Sequence, residues 1–167
     1  MKKLLFMVLA LQLILVLPQM GSLLQAQPPY SNADFNGTWA FGVSGTVIFT
    51  PPSTGPTPNC AGWTAVSLPI AIEGTLIGDG KGGLSGTQTF NADGLVCSGT
   101  LKGTYTVAAD GTGTLNNVTF TPDAKSISAG CTSTAGNSAL TFANGVNHID
   151  LTGTDCFQVI SGSATKQ

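Results

Sequence analysis

Three Asp-Gly steps, Asp79-Gly80, Asp93-Gly94 and Asp110-Gly111, punctuate the stretch 72–120, and each separates segments in which apolar and small polar residues alternate. Asp-Gly between alternating segments marks a tight hairpin, because the favoured two-residue turns need positive φ. The pattern D-G-x-G-x-L occurs twice, from Asp79 to Leu84 and from Asp110 to Leu115, each time after a Gly-Thr-apolar run, Gly74-Thr75-Leu76 and Gly103-Thr104-Tyr105. A chain punctuated in this way folds as a β-meander.

Period-two alternation places the strands. The first spans 39–49, with Trp39, Phe41, Val43, Val47 and Phe49 on one face, and the Pro-rich run 51–58 ends it in a long loop that carries Cys60 and Trp63. The second spans 65–77, with Val66, Leu68, Ile70, Ile72, Gly74 and Leu76 inward, and Pro69 marks a bulge or an edge. The third, 84–90, puts Leu84, Gly86, Gln88 and Phe90 on one face, and the fourth alternates without a break over 95–107. In the fifth, Gly113 and Leu115 are out of phase with Val118 and Phe120, which predicts a bulge at Asn116-Asn117. Strands at 125–131, 138–143 and 146–160 complete the set, and no helical period occurs outside the N-terminal leader. The predicted fold is all-β, a small antiparallel up-and-down barrel of about eight strands, since an even count lets the last strand pair antiparallel with the first. A two-sheet sandwich remains open as the alternative. The outward positions are Ser, Thr and Lys, unlike the aliphatic outer band of a membrane barrel.

The leader has Lys2 and Lys3 before an uncharged apolar run from Leu4 to Leu17, closed by Pro18. This is the pattern of a secretory signal peptide over 1–26, of bacterial appearance, cleaved after Ala26 to leave a single β domain over 27–167. The run is shorter than the ~20 residues of a spanning helix, so no stable membrane span is expected after cleavage. The expected location is secreted or periplasmic. After the leader four Lys oppose eight acids and there is no Arg, which argues against nucleic acid or an anionic membrane as partner. Oligomeric state is not legible.

Cys60, Cys97, Cys131 and Cys156 in an exported chain read as two disulfides. Counting strands up and down puts Cys60 and Cys97 at one end and Cys131 and Cys156 at the other, so the expected pairs are Cys60–Cys97 and Cys131–Cys156. Their spacing does not fit a metal site, and no metal or other cofactor is expected.

Few parts are available for enzyme chemistry. His148 is the only His and Glu73 the only Glu. His148 and Asp150 share a face, but the phase makes it the outer one and the two read as a surface pair. No G-x-S-x-G elbow occurs. Each Asp-Gly turn offers one carboxylate where calcium takes six to eight oxygens, so these are hairpin turns. Recurrent Thr-x-Thr pairs, such as Thr87/Thr89 and Thr104/Thr106, fit ordinary solvent-facing strand positions. Asn36-Gly37-Thr38 and Asn117-Val118-Thr119 match a glycosylation pattern that a bacterial host leaves unused.

Gly45, Gly74, Gly86, Gly99, Gly103 and Gly153 fall in the inward phase, where glycine either permits sharp coiling or leaves space. Two readings of the interior stay open. A filled core, with Gln88 bonded to backbone, is the simpler. In the other, Trp39, Gln88 and Tyr105 are the polar handles of an apolar ligand cavity.

Gly37-Thr38-Trp39 at the start of the first strand resembles the G-x-W that opens lipocalin-like (calycin) barrels. That family covers the Trp at the closed end with an Arg, which this chain lacks. The resemblance implies a small hydrophobic ligand held inside the barrel. The segments GTLIGDGKGGLSG and GTYTVAADGTGTL also resemble those of uncharacterised secreted bacterial Gly/Thr-rich β-proteins, a likeness that brings no activity. Three functional classes follow: an exported binding module for a small apolar ligand, a cell-surface or envelope protein of structural or adhesive role, and, less well supported, a small hydrolase or isomerase.

Overall fold

The computed structural model describes residues 29–50, 64–143 and 145–167. The leader, Cys60 and Trp63 lie outside them. Eight strands follow in order: β1 (Gly37–Thr50), β2 (Thr64–Gly78), β3 (Gly83–Ala92), β4 (Leu95–Val107), β5 (Thr112–Pro122), β6 (Thr134–Phe142), β7 (His148–Gly153) and β8 (Gln158–Lys166). Each pairs antiparallel with the next, and β8 returns to β1 with Trp39 opposite Lys166 and Val47 opposite Gln158. The sheet is therefore a closed up-and-down barrel, not a sandwich. Among the described residues no helix is long and apolar enough to cross a membrane.

The strand count agrees with the sequence for a reason that has two parts. The segment read as a sixth strand contains a helix, α1 (Ala124–Ser128), with Asp123 as its N-cap, Oδ1 accepting from the Ser126 backbone N–H at 2.7 Å. Five residues are too few to show a helical period. The segment read as one strand over 146–160 is instead two, β7 and the start of β8, broken by a turn at 154–157. The two differences cancel in the count but move two cysteines.

Cys97 is bonded to Cys131, at a Cα separation of 6.0 Å. The expected pairs Cys60–Cys97 and Cys131–Cys156 are therefore wrong. Because 124–128 is helix, Cys131 sits in the β5–β6 connection, at the same end of the barrel as the β3–β4 turn beside Cys97. Cys156 sits in the β7–β8 turn, also at that end, and is itself disulfide-bonded. Disulfides of this kind form in an oxidising compartment.

The bulge at Asn116-Asn117 is present: the β5–β6 register shifts between Leu115 and Val118, and Asn117 takes a φ of 49°. Pro69 lies one residue beyond the last β2–β3 pair, Ile70 with Ala92. Its carbonyl accepts from the Asp93 N–H, so its missing donor faces only a turn.

The inward glycines are there for coiling. A Cβ on Gly45, Gly74, Gly86 or Gly99 would fall 1.9, 2.0, 2.0 and 2.2 Å from a carbonyl oxygen of the adjacent strand. Small barrels need such points of close backbone approach to curve. On the outer face, cross-strand hydroxyls satisfy one another, Thr75 with Thr87 at 2.9 Å, Thr106 with Thr114 at 2.9 Å and Thr89 with Ser98 at 2.8 Å.

Two of the three Asp-Gly turns are closed by their own carboxylates, and the third, Asp93-Gly94, by Asn91, whose Oδ1 accepts from the Gly94 N–H at 2.9 Å. Asp79 Oδ1 accepts from the N–H groups of Lys81 and Gly83, and Asp110 Oδ1 accepts from the Thr112 N–H and hydroxyl. The Lys81 and Gly83 backbone donors lower the pKa of Asp79, the Thr112 side chain and backbone lower that of Asp110, and the Ser126 donors lower that of Asp123. A folded-state pKa below the unfolded one means stability that is present above the ordinary value and lost as pH falls through the folded one. The thermal midpoint is thus expected to stay level from neutral pH to about pH 5 and to drop below about pH 4. Combining Asp79→Asn, Asp110→Asn and Asp123→Asn should flatten that drop; an unchanged acid limb would show that these turns do not set it.

Candidate functional site

The two ends of the barrel differ. At the end where β1 begins, a 3₁₀ turn (Asn32–Phe35) crosses the opening and carries Phe35 into it. Asn32 fastens the turn, its Oδ1 accepting from the Val107 N–H at 2.7 Å and its carbonyl from the Tyr105 hydroxyl at 3.1 Å. Phe35 stacks on Trp39 with centroids 5.0 Å apart and lies against Tyr105 at 4.7 Å, while Trp39 meets Phe142 edge-on at 6.0 Å. Trp39 Nε1 donates to the Phe35 carbonyl at 3.1 Å, and Lys166 Nζ stands 5.6 Å from the centre of the Trp39 ring. Phe35, Trp39 and Tyr105 are fully buried. Burial pushes the Tyr105 hydroxyl pKa up. This end is sealed by aromatic packing.

Leu76, Leu101 and Leu115 form the next layer, and above them the described residues leave the interior unfilled. A cavity of about 400 Å³ runs from this leucine floor toward the other end of the barrel. Its walls are apolar: Phe41, Val43, Ile72, Phe90, Phe120 and Ile160 among them. Gln88 projects into it from the middle of β3. Of the three interior polar residues singled out by phase, Gln88 lines the cavity, whereas Trp39 and Tyr105 lie below its floor in the aromatic seal. The filled-core reading thus describes the closed half of the barrel and the cavity reading the open half.

The mouth follows from unequal strand lengths. β6 pairs with β7 only from Ser138, opposite Gly153, so its first residues run on beyond the end of β7. The turn 154–157 bridges this notch. Asp155 holds it down by accepting from the backbone N–H of Asn137 and, at 2.9 Å, from Asn137 Nδ2, while the Thr154 N–H donates to the Asn137 carbonyl at 3.1 Å. Asn137 Oδ1 in turn accepts from the Asn117 N–H in the β5 bulge at 2.9 Å. The rim residues Asn137, Thr152, Phe157 and Gln158 all line the cavity. The bulge was readable from the break in phase; the latch was not, because Asp155, in the β7–β8 turn, and Asn137, in β6, share no motif.

His148 and Asp150 lie on the outer face as their phase implies, with Nε2 3.5 Å from Oδ1, and Thr165 Oγ1 lies 3.4 Å from Nδ1. All three groups are open to solvent, and none lines the cavity. Among the described residues no group of three or more His, Cys, Asp or Glu is placed to hold a metal ion.

Comparison with models of protein families, with curated proteins and with solved structures yields no match for this chain.

Proposed function

We propose that this protein is an exported binding module that holds one small apolar ligand in the open half of its barrel. The observation that carries the reading is the cavity itself, about 400 Å³ with mostly apolar walls, Gln88 on the β3 wall and the other polar lining residues, Ser138 and Asn137 among them, on β6 and the rim. Ligand sites in proteins are of this size and make-up, concave, mostly apolar and with few polar groups. Gln88 is the polar contact in this reading, and Trp39 and Tyr105 serve it by sealing the floor's underside.

The lipocalin-like resemblance supports the same function. It calls for a cation over the first-strand Trp at the closed end, and in the absence of any Arg, Lys166 from the last strand supplies one. Export rests on the leader pattern over 1–26 and accords with the disulfide chemistry.

A neutral naphthylamine dye, fluorescent in apolar surroundings, tests the proposal. Saturable enhancement at one dye per chain is expected. Ile72→Trp, which puts an indole into the cavity from β2, should abolish the enhancement while leaving the near-ultraviolet dichroism of the aromatic seal in place. A wild-type protein that takes up no dye saturably would refute a binding cavity.

A further inference from the structure

The chemistry of the cavity wall narrows the ligand class. On the reading that the cavity is a binding site, we infer that it selects an uncharged amphiphile, an apolar body bearing one neutral oxygen group such as a hydroxyl, and that Gln88 is the residue that reads that group.

Three observations lead there. The first is the absence of charge. Among the described residues that line the cavity there is no Asp, Glu, Lys or His. An ionised ligand head would be desolvated there without a counter-charge, and an unpaired buried charge is strongly unfavourable. At the notch in the rim Asp155 presents a carboxylate held by Asn137, which disfavours an anion there.

The second is the state of the Gln88 amide. Among the described residues no group hydrogen-bonds to it, although the amide offers one acceptor oxygen and two donor hydrogens. The filled-core expectation that Gln88 bonds to backbone is therefore not met. Neither polar atom of the amide is shut off from solvent, so a ligand that covers it replaces water, and one that cannot pair with it leaves both functions unsatisfied. A hydroxyl can donate to the Oε1 and accept from the Nε2; an alkane can do neither.

The third is the approach. Gln88 pairs with Gly74 on one side and Gly99 on the other, and the inward neighbour below it on β3 is Gly86. None of the three can be exchanged for a larger residue without a Cβ striking backbone at 2.0 to 2.2 Å. The same glycines that let the wall coil thus keep side chains away from the amide on three sides. Phe90 stands above it and, edge-on to Phe120 at 5.3 Å, gives the ligand body an aromatic wall toward the mouth.

Competition against the naphthylamine dye at pH 8, using n-octanol, n-octane and octanoate, tests this on the full chain. Octanol should displace the dye at least about tenfold more strongly than octanoate. Gln88→Leu should weaken octanol about three- to tenfold, the worth of one net hydrogen bond, and leave octane as tight or tighter. Gln88→Asn, which withdraws the amide by one methylene, should fall between; displacement is referred to each variant's own dye affinity, and near-ultraviolet dichroism of the aromatic seal matching wild type shows that both variants are folded. If octanoate competes as well as octanol, or if Gln88→Leu moves octanol and octane equally, the inference is overturned while the cavity reading stands. If the dye itself is not bound by the wild type, both fall.

Discussion

Trp39→Ala is expected to destabilise the protein by about 3–5 kcal/mol, the range for truncating a large buried aromatic residue. Trp39 has no exposed surface, stacks on Phe35, meets Phe142 edge-on and bonds the Phe35 carbonyl. Removing it leaves a void at the closed end and strands that carbonyl without its donor. Since a domain of this size has a total stability of about 5–15 kcal/mol, the loss is a large share of it. Trp39→Phe keeps the stack and loses the hydrogen bond, so it should cost distinctly less. Urea denaturation followed by far-ultraviolet dichroism measures both. A Trp39→Ala midpoint within about 1 kcal/mol of wild type would show that the aromatic seal is not what holds this end together.

Gly74→Ala should have the second largest effect. The added methyl would lie 2.0 Å from the Thr87 carbonyl oxygen, so β2 and β3 must separate at the middle of the wall. Overpacking typically costs about 1–3 kcal/mol, and backbone that cannot yield puts this site at or beyond the upper end. Gly42→Ala is the control. It adds the same methyl to an outward strand position with nothing within 4 Å, and should change stability by less than about 0.5 kcal/mol. Equal effects at the two positions in the same denaturation experiment would mean that close approach is not why glycine occupies the inner wall.

These two sites show how far the sequence could be read. Alternation was enough to set the first five strands and their inward faces, because side-chain period in a strand is fixed by the pleat, and it made a closed barrel the expected fold while a sandwich stayed open. It placed Gly74 inward correctly, yet could not say whether the missing side chain meant space or coiling, since that depends on the separation of two backbones. Trp39 was legible as inward but not as part of a seal: its partner Phe35 comes from a short turn before β1, and Lys166 from the far end of the chain. The cysteine pairing failed on a segment where alternation had no force. Residues 125–131 carry Ser and Ile at spacings that suit a strand or a single helical turn, and Asp123, three residues before Ser126, was the one local sign of a helix start. The cavity lies further still from the sequence, because it is the volume left after every inward side chain has been placed.

Chemical-shift mapping on isotope-labelled protein titrated with n-octanol tests directly whether a ligand enters the open half of the barrel interior. The Gln88 side-chain amide and the methyls of Ile72, Leu101 and Leu115 are expected to shift together and saturate at one equivalent, with nuclear Overhauser contacts to the alkyl chain. Shifts confined to the outer Thr and Ser positions, with the Gln88 amide unmoved at saturating octanol, would contradict the cavity reading.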